Sequence, residues 1–496
     1  MRVVTHECPS ELGRCACDSH IGSHQKGIRW MRLSHARSAI SVRFDDPNLV
    51  ACAGVVPVMA LAERCGLRSL LVDTLRLSGA GTANSDAKIT ALVGGMVVGA
   101  DSINDMDLLR HGGMRRVFEQ IRAPSTLGTF LRRFTFGHVR QLDAVAARLL
   151  ARLAAATPLL PGVQKVAFLD LDDTVRQTYG YAKQGAGRGY TGVKGLNALL
   201  AVLSTPTAAP VIAAARLRKG STNSARGASR LLAEALATAR RVGAGTARHA
   251  MVLVRADSAY YGYDVINTCR RAGARFSVTA RLTKTVSRAI TTIPDTAWTA
   301  IRYPNAIWDE QEQRWVSDAE VAEIPFTAFT GRRRAEHVTA RLIVRRVRRL
   351  NPKTVPTGQS EMFAVHRYHA VFTDSAEPML LAEATHRDHA IVEQVIAELK
   401  NGPLAHLPSG SFAANAAWLT CATIAHNLTR AAGALAGGRH TRERAATLRT
   451  RLIISPARVA HSAHRQTFHL PRDWPWEPGL DELFRRALHD PLPVLA

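Results

Sequence analysis

Lys165-Val-Ala-Phe-Leu-Asp-Leu-Asp-Asp-Thr174 is an apolar run that ends in a burst of carboxylates. A strand repeats every two residues, so Ala167, Leu169 and Leu171 share one face, Phe168, Asp170 and Asp172 share the other, and Asp173 points away from Asp172. A second run, Met251-Val-Leu-Val-Arg-Ala-Asp-Ser-Ala-Tyr-Tyr261, is short and apolar enough to be an inner strand buried on both faces, with Asp257 where it emerges. A third acid lies in Asp388-His-Ala-Ile-Val-Glu-Gln-Val-Ile-Ala-Glu-Leu-Lys400, where Ile391, Val395 and Leu399 space an apolar helix face and Asn401-Gly402 supplies the stop. Glu393 and Lys400 fall two turns apart on another face of that helix. Three acids in three structural contexts, Asp172, Asp257 and Glu393, form a set that binds metal ions where it converges.

The segment between the first two acids sets the fold. After Asp172 come a glycine-rich loop, an apolar run over 195–203, a Ser204-Thr-Pro-Thr turn and a second run over 211–217, which predicts two antiparallel strands following the first. Ser224 reads as the N-cap of a helix through Arg241, a short helix covers 264–272, and 275–280 reads as a fifth strand. Three antiparallel strands, helix, strand, helix, strand is the ribonuclease-H-like order. The expected core is therefore α/β, a mixed sheet flanked by helices.

From about residue 42 onward the chain resembles the DDE transposases of bacterial insertion sequences, in the branch with a β-rich insertion between the second Asp and the Glu. The matching residues are Leu171-Asp-Asp-Thr174, Arg255-Ala-Asp-Ser258, Glu393 with Lys400 at the family interval, and Pro408-Ser-Gly-Ser-Phe-Ala-Ala-Asn-Ala-Ala-Trp418 after the Glu helix. The resemblance implies Asp172 and Asp257 as primary metal ligands, Glu393 as the third, and Lys400 as a phosphate contact near the cleaved bond. Asp170, on the same strand face as Asp172, is the alternative ligand. Where the family carries an arginine one turn before the glutamate, this chain has His389 with Arg387 nearby, and which of the two assists stays open. The implied cofactor is Mg²⁺, with Mn²⁺ as a substitute, because two ions about 3.5 to 4 Å apart serve in-line phosphodiester displacement and carboxylates hold them without stripping every water. The implied partner is double-stranded DNA, both element ends and target, engaged by a dimer in the synaptic complex.

Composition points the same way independently. Lys and Arg number 65 against 40 Asp and Glu, a formal charge of +25, which suits a polyanion and salt-dependent binding. The densest clusters are Arg332, Arg333 and Arg334, and then Arg341-Leu-Ile-Val-Arg-Arg-Val-Arg-Arg349, which reads as a strand with its basic residues, Arg345, Arg346 and Arg348 among them, facing out toward DNA. The loop Gly185-Ala-Gly-Arg-Gly-Tyr-Thr-Gly192 fails as a Walker A sequence and precedes a strand rather than a helix, so no nucleotide cofactor is expected. It reads as a flexible hairpin connection that brings Lys183, Arg188 and Tyr190 near DNA.

The chain is expected to open with a basic disordered leader over 1–45, Met31 being a candidate start, and a helical domain over 46–160 that by resemblance binds the terminal inverted repeats, with Arg115, Arg116, Arg132 and Arg133 as phosphate contacts. The catalytic core then falls in two parts, 161–282 and 384–436 with the Glu helix, separated by the β-rich insertion over 283–383 and followed by a basic C-terminal tail over 437–496. Trp298, Trp308 and Trp315 in the insertion read as a small sheet's core or as a stacking platform. The Ala-rich stretch 412–429 carries Asn415, Thr420, Thr423 and Asn427, which favours a buried helix over a membrane span. Seven scattered cysteines fit reduced thiols in a cytoplasmic protein, and Cys8, Cys15 and Cys17 have no regular zinc spacing. Three functions from different classes remain: an active transposase, a DNA-binding relative that has lost transposition, and a metal-dependent nuclease of the same fold.

Overall fold

The computed structural model describes residues 33–180, 182–301, 307–310, 314–316, 319–348 and 366–491. The cysteines and histidines before residue 33 and most of the expected leader lie outside the described residues. The chain divides into Met1–Asp46 and Pro47–Ala496. In the first unit the described residues hold one 3₁₀ turn, Arg37–Ala39.

The second unit is built on one long mixed sheet. Its core strands are β1 (Val166–Gln177), β2 (Lys194–Ser204), β3 (Val211–Lys219), β4 (Met251–Ala256) and β5 (Arg275–Ala280). β2 pairs antiparallel with β1 and β3, while β4 lies parallel between β1 and β5, giving the order β3-β2-β1-β4-β5. β1 and β2 are long because their alternating apolar residues are buried on the sheet's faces; Ala167, Leu169, Leu171 and the run Leu196 to Leu203 are almost wholly buried. The insertion does not form a separate module. Its strands β6 (Thr299–Ile301), β7 (Ala319–Ala328), β8 (Val338–Arg348) and β9 (His366–Thr373) continue the same sheet, with β9 pairing antiparallel to β5 from Ala370↔Ala280 to Thr373↔Ser277. Trp298 is half-buried with the Arg346 guanidinium 4.3 Å from its ring centroid, Trp308 is exposed, and the Trp315 side chain lies outside the described residues. The expected burial is thus met in part by Trp298 and not by Trp308, and the extended sheet takes core from Val321, Ile343, Val371 and Phe372.

Before the sheet come α1 (Val55–Arg64), α2 (Leu67–Thr74), α3 (Ser85–Val98), α4 (Pro124–Leu131) and α5 (Phe136–Ala156). Pro124 starts α4 where its missing N–H costs nothing, and α5 is closed by a Thr135/His138 capping box. α6 (Ala228–Arg241) and α7 (Tyr263–Arg271) connect the later core strands. The expected Ser224 cap is corrected: α6 starts after Gly227, whose φ is +77°, because Arg218 captures the preceding loop through the carbonyls of Ser224 and Arg226, both at 2.8 Å. α8 (Lys284–Thr291) opens the insertion, and α9 (Met379–Arg387) and α10 (Ile391–Lys400) follow it.

α11 (Phe412–Ala436) is buried on nearly every residue from Ala414 to Ala436. It touches α1, α3, α4, α5 and β3, and most of its polar side chains find partners; Asn427, for example, exchanges hydrogen bonds with both main-chain groups of Ile212 at 2.8 and 2.9 Å. No described helix is long and apolar enough to cross a membrane. The described residues after Gly437 are folded: α12 (Glu477–Leu488) packs on α1 and α11, and Arg64 donates to the carbonyl of Ala487 at 2.6 Å, near the C-terminal end of α12. Cys52, Cys65, Cys269 and Cys421 are buried free thiols.

Candidate active site

The three acids of β1, Asp170, Asp172 and Asp173, meet three different fates. Asp170 is fully buried and accepts a two-pronged pair from Arg255 on β4, Nε to Oδ1 at 2.6 Å and Nη2 to Oδ2 at 2.8 Å. That carboxylate is committed to a guanidinium, which corrects its standing as an alternative metal ligand. Asp173 turns to the opposite face and takes donors from Asn197, from Arg218 at 2.8 Å and from the Tyr260 hydroxyl at 3.0 Å. Between them Asp172 accepts only the Asp173 backbone N–H, at 2.7 Å, and enters no ion pair among the described residues. Burial, then the negative charges of Asp257, Asp173 and Glu393, push its carboxyl up to about 7 despite that hydrogen bond.

Asp257 closes β4 and caps the 3₁₀ turn Ser258–Tyr260, accepting from the Ala259 N–H at 2.9 Å. Its carboxyl is also raised, by burial first and by Asp173, with His389 and Arg281 opposing. Glu393 lies in the first turn of α10, exposed, where a helix N-terminus favours a carboxylate. The helix buries Val392, Val395, Ile396 and Leu399, and Glu398 turns inward to a double contact with Arg430 at 2.7 and 2.8 Å. Only Glu393 of the two glutamates is left facing out. Acids from three distant segments thus share one electrostatic field.

Asp172, Asp173 and Asp257 line a cleft of about 610 Å³ whose walls also carry Arg188, Tyr190 and Arg281. Its far side is the hydroxyl- and amide-rich stretch Ser221, Thr222, Asn223 and Ser224. The glycine-rich loop is held close rather than loosely hinged: a Cβ on Gly189 would strike the Gly220 carbonyl, and one on Gly220 would strike those of Gly195 and Gly187. Tyr190 is 68 % exposed at this rim, and burial together with Asp173, Asp172 and Asp257 holds its hydroxyl above the ordinary phenol range. Arg281, not singled out in the sequence, donates to the carbonyls of Ser258 and Ala259 at 2.8 and 3.1 Å, bracing the turn that follows Asp257. Its only sequence signal was its place at the end of a strand adjacent to β4.

The expected basic contacts divide sharply. Arg188 is exposed and bonds the Gly192 carbonyl at 2.8 Å; Lys183 is half-buried and donates to the Leu407 carbonyl at 2.6 Å. Arg333 and Arg334 are exposed at the turn between β7 and β8, and Arg332 stacks 4.9 Å from the Tyr263 ring while meeting Glu336 at 3.2 Å. The outward-facing arginine strand is corrected. Arg345 pairs with the buried Glu383 at 3.0 Å, and Arg346 pairs with Glu320 at 2.6 Å and Asp295 at 3.1 Å. Adjacent strand residues occupy opposite faces, and on each face an acid is waiting. The Arg348 side chain lies outside the described residues. Arg387 also belongs to Glu383, through its Nε at 3.0 Å to both oxygens, whereas His389 acts on Asp257 and has its Nδ1 2.8 Å from the His386 carbonyl. Beneath it His386, between the hydroxyls of Ser277 and Thr279 at 2.9 Å each, is pushed down to about 3 by burial. Lys400 lies half-buried in the last turn of α10.

Among the described residues no three acidic, histidine or cysteine side chains close into a ready metal cluster. The donor chemistry nevertheless fits a hard divalent cation: Asp172, Asp257 and Glu393 offer oxygens only, and their mutual repulsion is what a cation relieves. Compared with known protein families, residues 33–490 match the family described as transposase DDE domain, group 1. No curated protein matches the chain.

Proposed function

The chain belongs to the group 1 family of transposase DDE domains, and on that premise we propose that it binds the terminal inverted repeats of its insertion sequence, hydrolyses a phosphodiester bond at each end and joins the freed ends to target DNA. The observation that carries this reading is one cleft lined by Asp172 and Asp257, acids from two separate strands that enter no ion pair among the described residues, beside Arg188, Tyr190 and Arg281. Burial and the nearby acids Asp257, Asp173 and Glu393 raise the Asp172 carboxyl, the kind of perturbation that clusters at functional sites. The order β3-β2-β1-β4-β5 supports a ribonuclease-H-like core, with 46–160 as the end-binding region and 161–282 and 384–436 as the catalytic halves around the 283–383 insertion.

Mg²⁺, or Mn²⁺ in its place, would activate the attacking oxygen and stabilise the leaving one. Asp172 and Asp257 would be its primary holders and Glu393 the third. The chain's own groups do the rest. Arg188 and Arg281 bring positive charge to the cleft for the strand's phosphates, Tyr190 offers an exposed ring to a base, and Lys400 meets the phosphate beside the cleaved bond. His389, set beside Asp257, takes the place of the family's arginine, since Arg387 is held by Glu383. Hydrolysis first frees a 3′-hydroxyl on the element end. That hydroxyl then attacks the phosphorus of a target phosphodiester, forming the new bond to the element end while the target's own 3′-oxygen leaves as a hydroxyl, within a dimer that pairs two ends.

The test is a labelled duplex carrying the repeats that flank the coding region, incubated with Mg²⁺ or chelator and with unmodified protein, Asp172→Asn or Glu393→Gln. Metal-dependent nicking at the repeat boundary and a joined product, both lost in the variants while binding persists, are expected. Tight binding with no cleavage by the unmodified protein would sink the reading in favour of a DNA-binding relative, and cleavage without joining would leave a nuclease.

A further inference from the structure

We infer that Arg255 is a positioning residue that locks the three acid-bearing segments into one arrangement, an inference that rests on the function proposed above. In the parallel ladder between β1 and β4, Arg255 lies opposite Asp170, and Leu171 opposite Ala256. Carrying that register one step further sets Asp172 beside Asp257. The Asp170–Arg255 pair therefore sits one strand repeat, roughly 6.6 Å, behind both acids on their own strands. Its two parallel hydrogen bonds fix how the strands sit along one another. A slip between them would carry Asp172 and Asp257 apart.

The third nitrogen of the same guanidinium reaches the third segment. Nη1 donates at 2.7 Å to the Thr385 carbonyl in the last turns of α9, the helix that leads through His389 into α10 and Glu393. The plane of the group lies over Phe168, 4.3 Å from the ring centroid, so β1 grips it by a ring as well as a carboxylate. Every nitrogen is occupied, and the side chain is 2 % exposed. His386 on the next residue of α9 bonds Ser277 and Thr279 of β5, which ties α9 to the neighbouring strand too. Lysine cannot substitute, because a point charge on a flexible stem cannot hold two carboxylate oxygens and a carbonyl in fixed directions.

A buried ion pair with no further role would affect stability alone, so the test separates the two. Two variants are compared with the unmodified full-length protein: Arg255→Lys, and the double variant Asp170→Leu with Arg255→Met, which replaces the pair with apolar groups and avoids a stranded buried charge. Each is measured for thermal unfolding, for Mn²⁺ binding by electron paramagnetic resonance, for binding of the repeat duplex and for its cleavage rate. Both variants should bind the duplex within about twofold of the parent while Mn²⁺ affinity falls about tenfold and cleavage about 100-fold, the range seen when groups that orient metal ligands are removed. The double variant should do so with a melting temperature close to the parent's. If it folds and retains Mn²⁺ affinity and cleavage within about threefold, the positioning role is overturned. Asp172→Asn is the reference: Mn²⁺ binding by the parent that this substitution does not weaken would overturn the metal-site reading itself, and the role of Arg255 with it.

Discussion

In the insertion half of the sheet Arg345 and Arg346 are met by Glu383 and Glu320, whereas in the core half Asp172 and Asp257 receive only backbone N–H donors and no ion pair among the described residues. Both regions stood out in the sequence as dense charge of one sign. Of these buried charges, Asp172 and Asp257 are the ones left unspent. Pairing converts charge into structure, and what remains unpaired inside a fold, raised in energy by burial and by like neighbours, is what a ligand can use. A charge run in a sequence therefore says little until the residues across from it are known.

The largest effect that would test this contrast is on the unspent side. Asp172→Asn should lower repeat-boundary cleavage by ~1,000-fold or more, the scale of several kcal/mol of lost metal-assisted stabilisation, with duplex binding within a few-fold in a filter or gel assay. On the spent side Glu383→Gln removes the buried charge that Arg345 and Arg387 both bond, so unfolding should show a loss of about 1.5 to 3 kcal/mol, read as a lower thermal midpoint. A Glu383→Gln protein as stable as its parent would break the contrast. Replacing the exposed Arg333 and Arg334 by Gln should leave the midpoint unchanged but lower the slope of log affinity against log salt by roughly 2, while Arg346→Gln leaves the slope alone.

The smallest effect concerns pH. Because the folded-state value for Asp172 lies above its ordinary one, at about 7, the native state holds that proton more tightly than the unfolded chain. Its contribution is fully present at low pH and is lost as pH rises from about 4 through about 7. Without divalent ions, Asp172→Asn should therefore melt a few degrees higher than the parent at pH 8 and at the same temperature near pH 4. A divalent ion should erase the gap at pH 8.

Much of the core was legible because it is written locally. Period-two alternation and turn residues located β1 to β5 within a few residues, and the helical spacing around Glu393 placed the burial of Val395 and Leu399. What escaped depends on partners distant in the chain. Alternation put Asp170 and Asp172 on one face and could not choose between them; Arg255, from another strand, distinguishes their roles. Nothing near 366–373 announces that this strand pairs with β5, so an insertion that reads as a module is built as a continuation of the sheet. Ser224 had the right chemistry for a cap, but Arg218 claims its loop first. Arg281 is an unremarkable basic residue until its two carbonyl partners are seen beside Asp257.

The burial of α11 has a consequence for how the molecule comes to exist. Helices α1 to α5 and strand β3 are all synthesised long before Phe412 leaves the ribosome, yet the helix they close upon is α11. At ordinary elongation rates of about 5 to 20 residues per second, the amino-terminal helices wait tens of seconds with their apolar faces uncovered. A message cut short anywhere before the α11 codons should yield an aggregation-prone fragment and no trimmed, working version of the protein.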